Sequence, residues 1–127
     1  MEQDGSNPIR INCVILNFND GETEARLVHM IHDYDYLEKI VLVDNHSTDE
    51  SWEELQVLKD DKVDVIRTEK NGGYGYGNNT GIRYAIEHNG ATHVLVANPD
   101  VVFSESCVIH MARVYGNHPD AGVVTAS

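Results

Sequence analysis

Four short apolar runs, at 9–16, 39–43, 63–68 and 94–97, are each separated from the next by a segment with the apolar spacing of a helix. This alternation constrains the fold more than any other feature. Strands joined through helices lie parallel, with right-handed crossovers, so the chain is an α/β protein with a parallel sheet. The first run (Ile9, Ile11, Cys13, Val14, Ile15, Leu16) is nearly continuous, as in a central strand covered on both faces. A helix is expected over 22–36, with Leu27, Val28, Ile31 and Tyr34 inward and acidic residues at its start. Ser47 and Glu50 have capping-box spacing, which predicts a helix to residue 59 with Trp52, Leu55 and Leu58 inward. The third strand alternates, with Val63, Val65 and Arg67 on one face, and reads as an edge.

Residues 71–81 form a glycine-rich stretch that runs into a helix with Ile82, Ala85 and Ile86 inward, closed by Asn89-Gly90. After the fourth strand, Ser104 is placed to cap a helix through 115, with Val108, Ile109, Ala112 and Tyr115 for burial. A loop at 116–120 and a strand at 121–126 follow. Residues 1–8 read as a flexible lead-in and 9–127 as one domain. A parallel strand with nothing after it is an exposed edge, open to self-association, and suggests part of a longer protein.

Charge narrows the function. Nine basic against 21 acidic residues give a net −12, which argues against nucleic acid and anionic membrane surfaces. A phosphate ester would have to be held by a metal cation or by backbone N–H groups. Cys13 and Cys107 form no CxxC pair and read as reduced thiols. Residues 1–8 contain no apolar signal region, and no stretch approaches the ~20 residues of a membrane span.

Polar residues end three of the apolar runs: Asn17-Phe18-Asn19, Asp44-Asn45 and Asn98-Pro99-Asp100. With strand order 3-2-1-4, all three meet in one crevice at the carboxyl rim of the sheet, where open α/β sheets bind ligands. Asp44 could accept from a base or ribose, and Asp100 suits a hard divalent cation. The plain alternatives are a lead-in to a capped helix for Asp44-Asn45 and a turn residue for Asp100. The glycine stretch lacks the lysine of a P-loop, and Gly81 comes one residue too late after Gly75-Tyr76-Gly77 for the dinucleotide fingerprint. It leaves either a loop that lets backbone approach a ligand or a glycine-rich turn with aromatic side chains over the sheet. His29 and His32, near Asp33, read as a solvated helix face rather than zinc ligands, and His46 lies beside Asp44. No Ser-His-Asp arrangement is present.

These blocks, together with Val101, resemble the family 2 glycosyltransferases of the GT-A fold, in particular the rhamnosyltransferase-like branch that builds surface polysaccharides. The blocks run in order from Ile11 to about residue 102. The resemblance implies a truncated GT-A fold: a three-layer α/β/α sandwich with a mostly parallel, Rossmann-like sheet. It implies that Asn17, Phe18 and Asn19 lie beside the nucleotide base, with Asp44 accepting from a base N–H. Asn71, Gly73 and Asn78 would close over the nucleoside. Asn98 would face the ribose, and Asp100 would hold Mg²⁺ or Mn²⁺, which stabilises the departing diphosphate.

The implied function is the donor-binding half of an inverting transferase. It would move a sugar from a UDP- or dTDP-type donor onto a saccharide or lipid-linked acceptor, on the cytoplasmic side and, at full length, at the inner membrane face. The D-x-D position reads N-P-D, one carboxylate short. The resemblance puts the catalytic base beyond residue 127. A second class is a non-catalytic nucleotide-binding or assembly module of the same fold, separable by whether the longer protein transfers sugar. A nucleotidyltransferase would want Arg and Lys in a glycine loop directly after the first strand, and 17–21 has neither.

Overall fold

The computed structural model describes residues 9–98, 104–106, 108–109 and 123–126. The 1–8 lead-in, Asp100, Cys107, the 104–115 helix beyond residue 109 and the 116–120 loop lie outside the described residues. The elements are β1 (Ile11–Asn17), α1 (Gly21–Ile31), β2 (Leu37–Asp44), α2 (Ser51–Gln56), β3 (Val63–Arg67), α3 (Tyr74–Glu87), β4 (His93–Ala97) and β5 (Val123–Ala126).

The strands form one sheet in the order β3-β2-β1-β4-β5, with every pair parallel. The order 3-2-1-4, the condition under which the three polar strand ends meet, is therefore observed, with β5 added beside β4 and β3 at an edge. Alternate side chains of each strand face opposite layers. Cys13, Ile15, Ile40, Leu42, Leu95 and Ala97 pack with Leu27, Val28 and Ile31 of α1 and Leu55 of α2. Val14, Val41, Val43, Val94 and Val96 pack with Ala85 of α3. Two helices cover one face and α3 covers the other, which makes the three layers. The chain winds outward through β2 and β3, then returns beneath α3 to place β4 on the far side of β1. The gap between the carboxyl ends of β1 and β4 is a topological switch point.

The structure corrects several element bounds. The first strand begins at Ile11, leaves Ile9 44% exposed, and carries Asn17 as its last, buried residue. α1 stops at Ile31, five residues early. Asp33 follows in a turn closed by the Tyr34 N–H donating to the Ile31 carbonyl (3.0 Å), Asp35 in one closed by the Leu37 N–H donating to the Tyr34 carbonyl (3.0 Å), and Tyr34 still packs on the core. Ser47 caps nothing, because its hydroxyl is recruited by Asp44. α2 starts only at Ser51 and gives way after Gln56 to i→i−3 turns. Ile86 is 49% exposed, whereas Ala85 is buried as expected.

The largest correction concerns the glycine stretch. Only 71–73 is loop, and the helix begins at Tyr74. Gly73 sits at φ 96°, a conformation that glycine adopts freely, and it turns the chain into α3. Gly77 and Gly81, one turn apart, face the sheet. A Cβ on Gly81 would stand 2.5 Å from Val14 Cγ1 and 2.7 Å from Val43 Cγ2. The missing side chains let the helix axis lie close on β1 and β2. At the other end Gly90 (φ 70°) closes α3, as its sequence position predicts.

The histidines on α1 make a solvated face. His32 contacts Asp60 (2.8 Å) and Asp33 (3.3 Å), and no cluster of metal-ligating side chains exists among the described residues. No described helix is long and apolar enough to cross a membrane.

Candidate functional site

Parallel register builds the site. Asn17 pairs with Asp44, and Asp44 pairs with Arg67, so the last residues of β1, β2 and β3 stand side by side. All three point to the α1–α2 face by strand alternation. Asn17 Nδ2 donates to Asp44 Oδ1 (3.0 Å), and Arg67 Nε meets Asp44 Oδ2 (3.2 Å). Ser47 adds its backbone N–H to Oδ2 (3.1 Å) and its hydroxyl to Oδ1. Arg67 also donates from Nη2 to the Ser47 carbonyl (2.8 Å) and lies 5.3 Å from the Trp52 ring centroid on α2. Asp44 is thus a fully buried carboxylate with three hydrogen bonds and one ion pair.

In this arrangement Asp44 is engaged by its own neighbours, and the expected acceptance from a base N–H requires Ser47 or Arg67 to give way. Its observed work is to lock the turn after β2 to the ends of β1 and β3. Sequence reasoning missed Ser47 and Arg67 as parts of the site.

The turn after β1 is fixed the same way. Asn19, at φ 57°, accepts at Oδ1 from the Thr48 N–H (2.8 Å) and the Asp49 N–H (3.3 Å), and its own N–H donates to Ser47 Oγ (2.9 Å). His46, at φ 64°, faces the Thr68 carbonyl through Nδ1 (3.2 Å). These two are the described non-glycine residues with positive φ, and both sit in rim turns. Left-handed backbone concentrated at one place is held there by its surroundings and often marks a functional site. Between the two tied asparagines, Phe18 remains 44% exposed.

On the α3 side, buried Asn45 takes the joining role. Its Nδ2 donates to Asn71 Oδ1 (3.1 Å) and to the Gly73 carbonyl (3.2 Å), while Oδ1 accepts from Thr68 Oγ1 (3.1 Å). Asn71 Oδ1 accepts in turn from the Gly73 N–H (3.1 Å). The loop of Asn71 and Gly73 is therefore docked on Asn45, just after the end of β2. Asn78 is 7% exposed on α3, and its Oδ1 is buried without a partner. Asn98, just after β4, accepts at Oδ1 from the Tyr74 hydroxyl (2.7 Å). Asp100 lies outside the described residues. Of the described candidates, Asp44 is the one carboxylate, and it is already engaged by its neighbours.

Glu24 on α1 is a fully buried carboxyl without a hydrogen-bond partner. Burial, and then the carboxylates of Asp44 and Asp20, push its pKa well above 4.5, so the group folds protonated. A carboxyl with a raised folded pKa contributes most below its unfolded value, and the contribution is lost as pH rises towards the folded value. Glu24→Leu is expected to stabilise the chain by about 1–3 kcal/mol at pH 8, with the gain shrinking as pH falls towards 4.5. Thermal melts of both proteins from pH 5 to 8 check this, and a gain independent of pH would contradict it.

The Glycosyl transferase family 2 model matches residues 13–127. The low-salt glycan biosynthesis hexosyltransferase Agl10 of Haloferax volcanii is 29% identical over 105 residues, covering 83% of this chain and 32% of the relative. The chain thus spans about a third of the length of that curated relative. Among solved structures, the mannosyltransferase PcManGT of Pyrobaculum calidifontis, in complex with GDP-Man and Mn²⁺, superposes with a TM-score of 0.71 at 17% identity, covering 84% of this chain and 32% of that one. S. aureus TarS (1–349) gives 0.70 at 19% identity, covering 87% and 33%. A 4-diphosphocytidyl-2C-methyl-D-erythritol synthase gives 0.67 at 16% identity, covering 86% and 56%. The fold is shared across these chemistries and does not by itself choose among them.

Proposed function

This chain belongs to glycosyl transferase family 2, and from that premise we propose that its rim is the donor-binding half of a sugar-transferring enzyme. The observation that carries the proposal is Phe18. An aromatic ring is held out, 44% exposed, from a turn locked by Asn17 and Asn19 beside the switch point. A base stacked there gains apolar and π contact on a rigid platform.

The other residues take roles consistent with their chemistry. Asn17 and Asp44 hold the base-side turn. Asn71 and Gly73 supply the docked loop opposite. Asn78 and Asn98 face the ribose, and Asp100 is the remaining carboxylate for Mg²⁺ or Mn²⁺. When bound, that cation supplies charge neutralisation for the leaving diphosphate. In a chain of net −12 such a cation meets a clear electrostatic need.

The base is read as a pyrimidine, UDP or dTDP type, on the family resemblance. A mannosyltransferase of the same fold holds GDP-Man, so GDP belongs in the test as well. The saccharide or lipid-linked acceptor, the inverting course, the catalytic base beyond residue 127 and the inner face of the membrane are proposed for the longer protein on the same ground.

A thermal-shift panel of UDP, dTDP, GDP and ADP, with Mn²⁺, Mg²⁺ or EDTA, tests the donor site. A ligand at a hundred times its Kd stabilises by about 2.7 kcal/mol. For a domain of this size that is roughly 10 °C in Tm. The expected result is a shift that requires the cation and disappears in Asp100→Ala. No shift with any of the four at millimolar concentration would remove the proposal.

A further inference from the structure

We propose that Tyr74 is a positioning residue of the donor site, whose hydroxyl orients the Asn98 amide so that its N–H groups, not its oxygen, meet the nucleotide. The inference rests on the donor-site reading above and deepens it.

Packing does not account for Tyr74. It is the first residue of α3 and is 59% exposed. Yet its hydroxyl reaches Asn98 Oδ1 at 2.7 Å, 24 residues away along the chain, and so joins the start of α3 to the exit of β4. These are two sides of the same crevice. An amide has one oxygen and two N–H donors. With the oxygen engaged by Tyr74, Asn98 Nδ2 is left without a partner among the described residues. A cation needs an oxygen, whereas a ribose or phosphate oxygen needs a donor. The held amide therefore suits a nucleotide oxygen better than a metal ion.

The free N–H donors of Asn98 suit a ribose hydroxyl or a phosphate oxygen.

The test is a double-mutant cycle read by calorimetric titration. Wild type, Tyr74→Phe, Asn98→Ala and the double variant are titrated in Mn²⁺ with UDP, dTDP, GDP and ADP, and the tightest of these for wild type is followed. Tyr74→Phe removes only an oxygen at an exposed position, so Tm should stay within about 2 °C while Kd weakens about 3- to 10-fold. Asn98→Ala should weaken binding at least as much, and adding Tyr74→Phe to it should cost nothing further. Weakening that multiplies across the two sites would overturn the inference, as would a Tyr74→Phe protein that binds like wild type. A wild type that binds none of the four removes the donor-site reading and this inference with it. Binding that ignores Tyr74 removes this inference alone.

Discussion

Arg67→Met is expected to destabilise the chain by about 2–3 kcal/mol and to lower Tm by roughly 10 °C. Methionine keeps most of the apolar stem, so the change removes the charge, its polar contacts and the guanidinium's place over Trp52. What remains is Asp44, fully buried, with its Oδ2 reduced to a single donor, the Ser47 N–H. Removing one member of a buried pair is costly because the other is left behind as an uncompensated charge. The Arg67 side chain is 33% exposed, so water can reach part of the vacated space, which holds the cost towards the lower end. Adding Asp44→Asn to Arg67→Met should recover part of the loss, because it removes the stranded charge. Arg67→Lys should fall between wild type and Met. It keeps the charge but cannot bond Asp44 and the Ser47 carbonyl at once from one planar group while resting on Trp52. Chemical denaturation of the four proteins measures these differences. A change below about 0.5 kcal/mol for Arg67→Met would mean that Asn17 and Ser47 alone satisfy Asp44.

The same residue shows where sequence stops being legible. The parallel α/β class, the two-sided burial of β1 and the polar rim could all be read, because each is written in short-range patterns: continuous apolar runs, helical spacing between them and an abrupt polar terminator, whereas the sheet order entered only as a condition. Arg67 could not be read, because its partner lies on a neighbouring strand and the pairing exists only through register. Ser47 was misread for a different reason. Its spacing to Glu50 fits a capping box, while its spacing to Asp44 fits an acceptor three residues earlier, and only burial of the carboxylate decides between them. Asn98 was legible as a polar terminator, but its bond to Tyr74 joins two elements and carries no local signal. The family resemblance pointed to Phe18, Asn19, Asp44 and Asn71, and the hydrogen bonds that Asp44 makes to its own neighbours carry no sequence signal.

The glycine stretch was misread because helix propensity, a weak preference, was overridden by packing, and this yields the second large prediction. Gly81→Val is expected to cost about 3 kcal/mol or more and roughly 10 °C in Tm. Its Cβ would stand 2.5 Å from Val14 and 2.7 Å from Val43, both fully buried members of the central strands, and the two methyls beyond it have no room. The sheet cannot yield without disturbing both cores, so α3 must move outward. Gly75→Ala is the control. A Cβ there meets nothing within 4 Å, and replacing an exposed helical glycine by alanine stabilises by about 0.5–1 kcal/mol. The same residue type, six positions apart on one helix, should thus give opposite signs. The consequence reaches function, because the start of α3 carries Tyr74 and the docked Gly73 loop. At a temperature where Gly81→Val is still folded, nucleotide affinity should fall further than the fraction folded explains, since displacing the helix pulls Gly73 from Asn45 and Tyr74 from Asn98. Affinity that simply tracks the folded fraction would show instead that the rim keeps its shape when α3 moves.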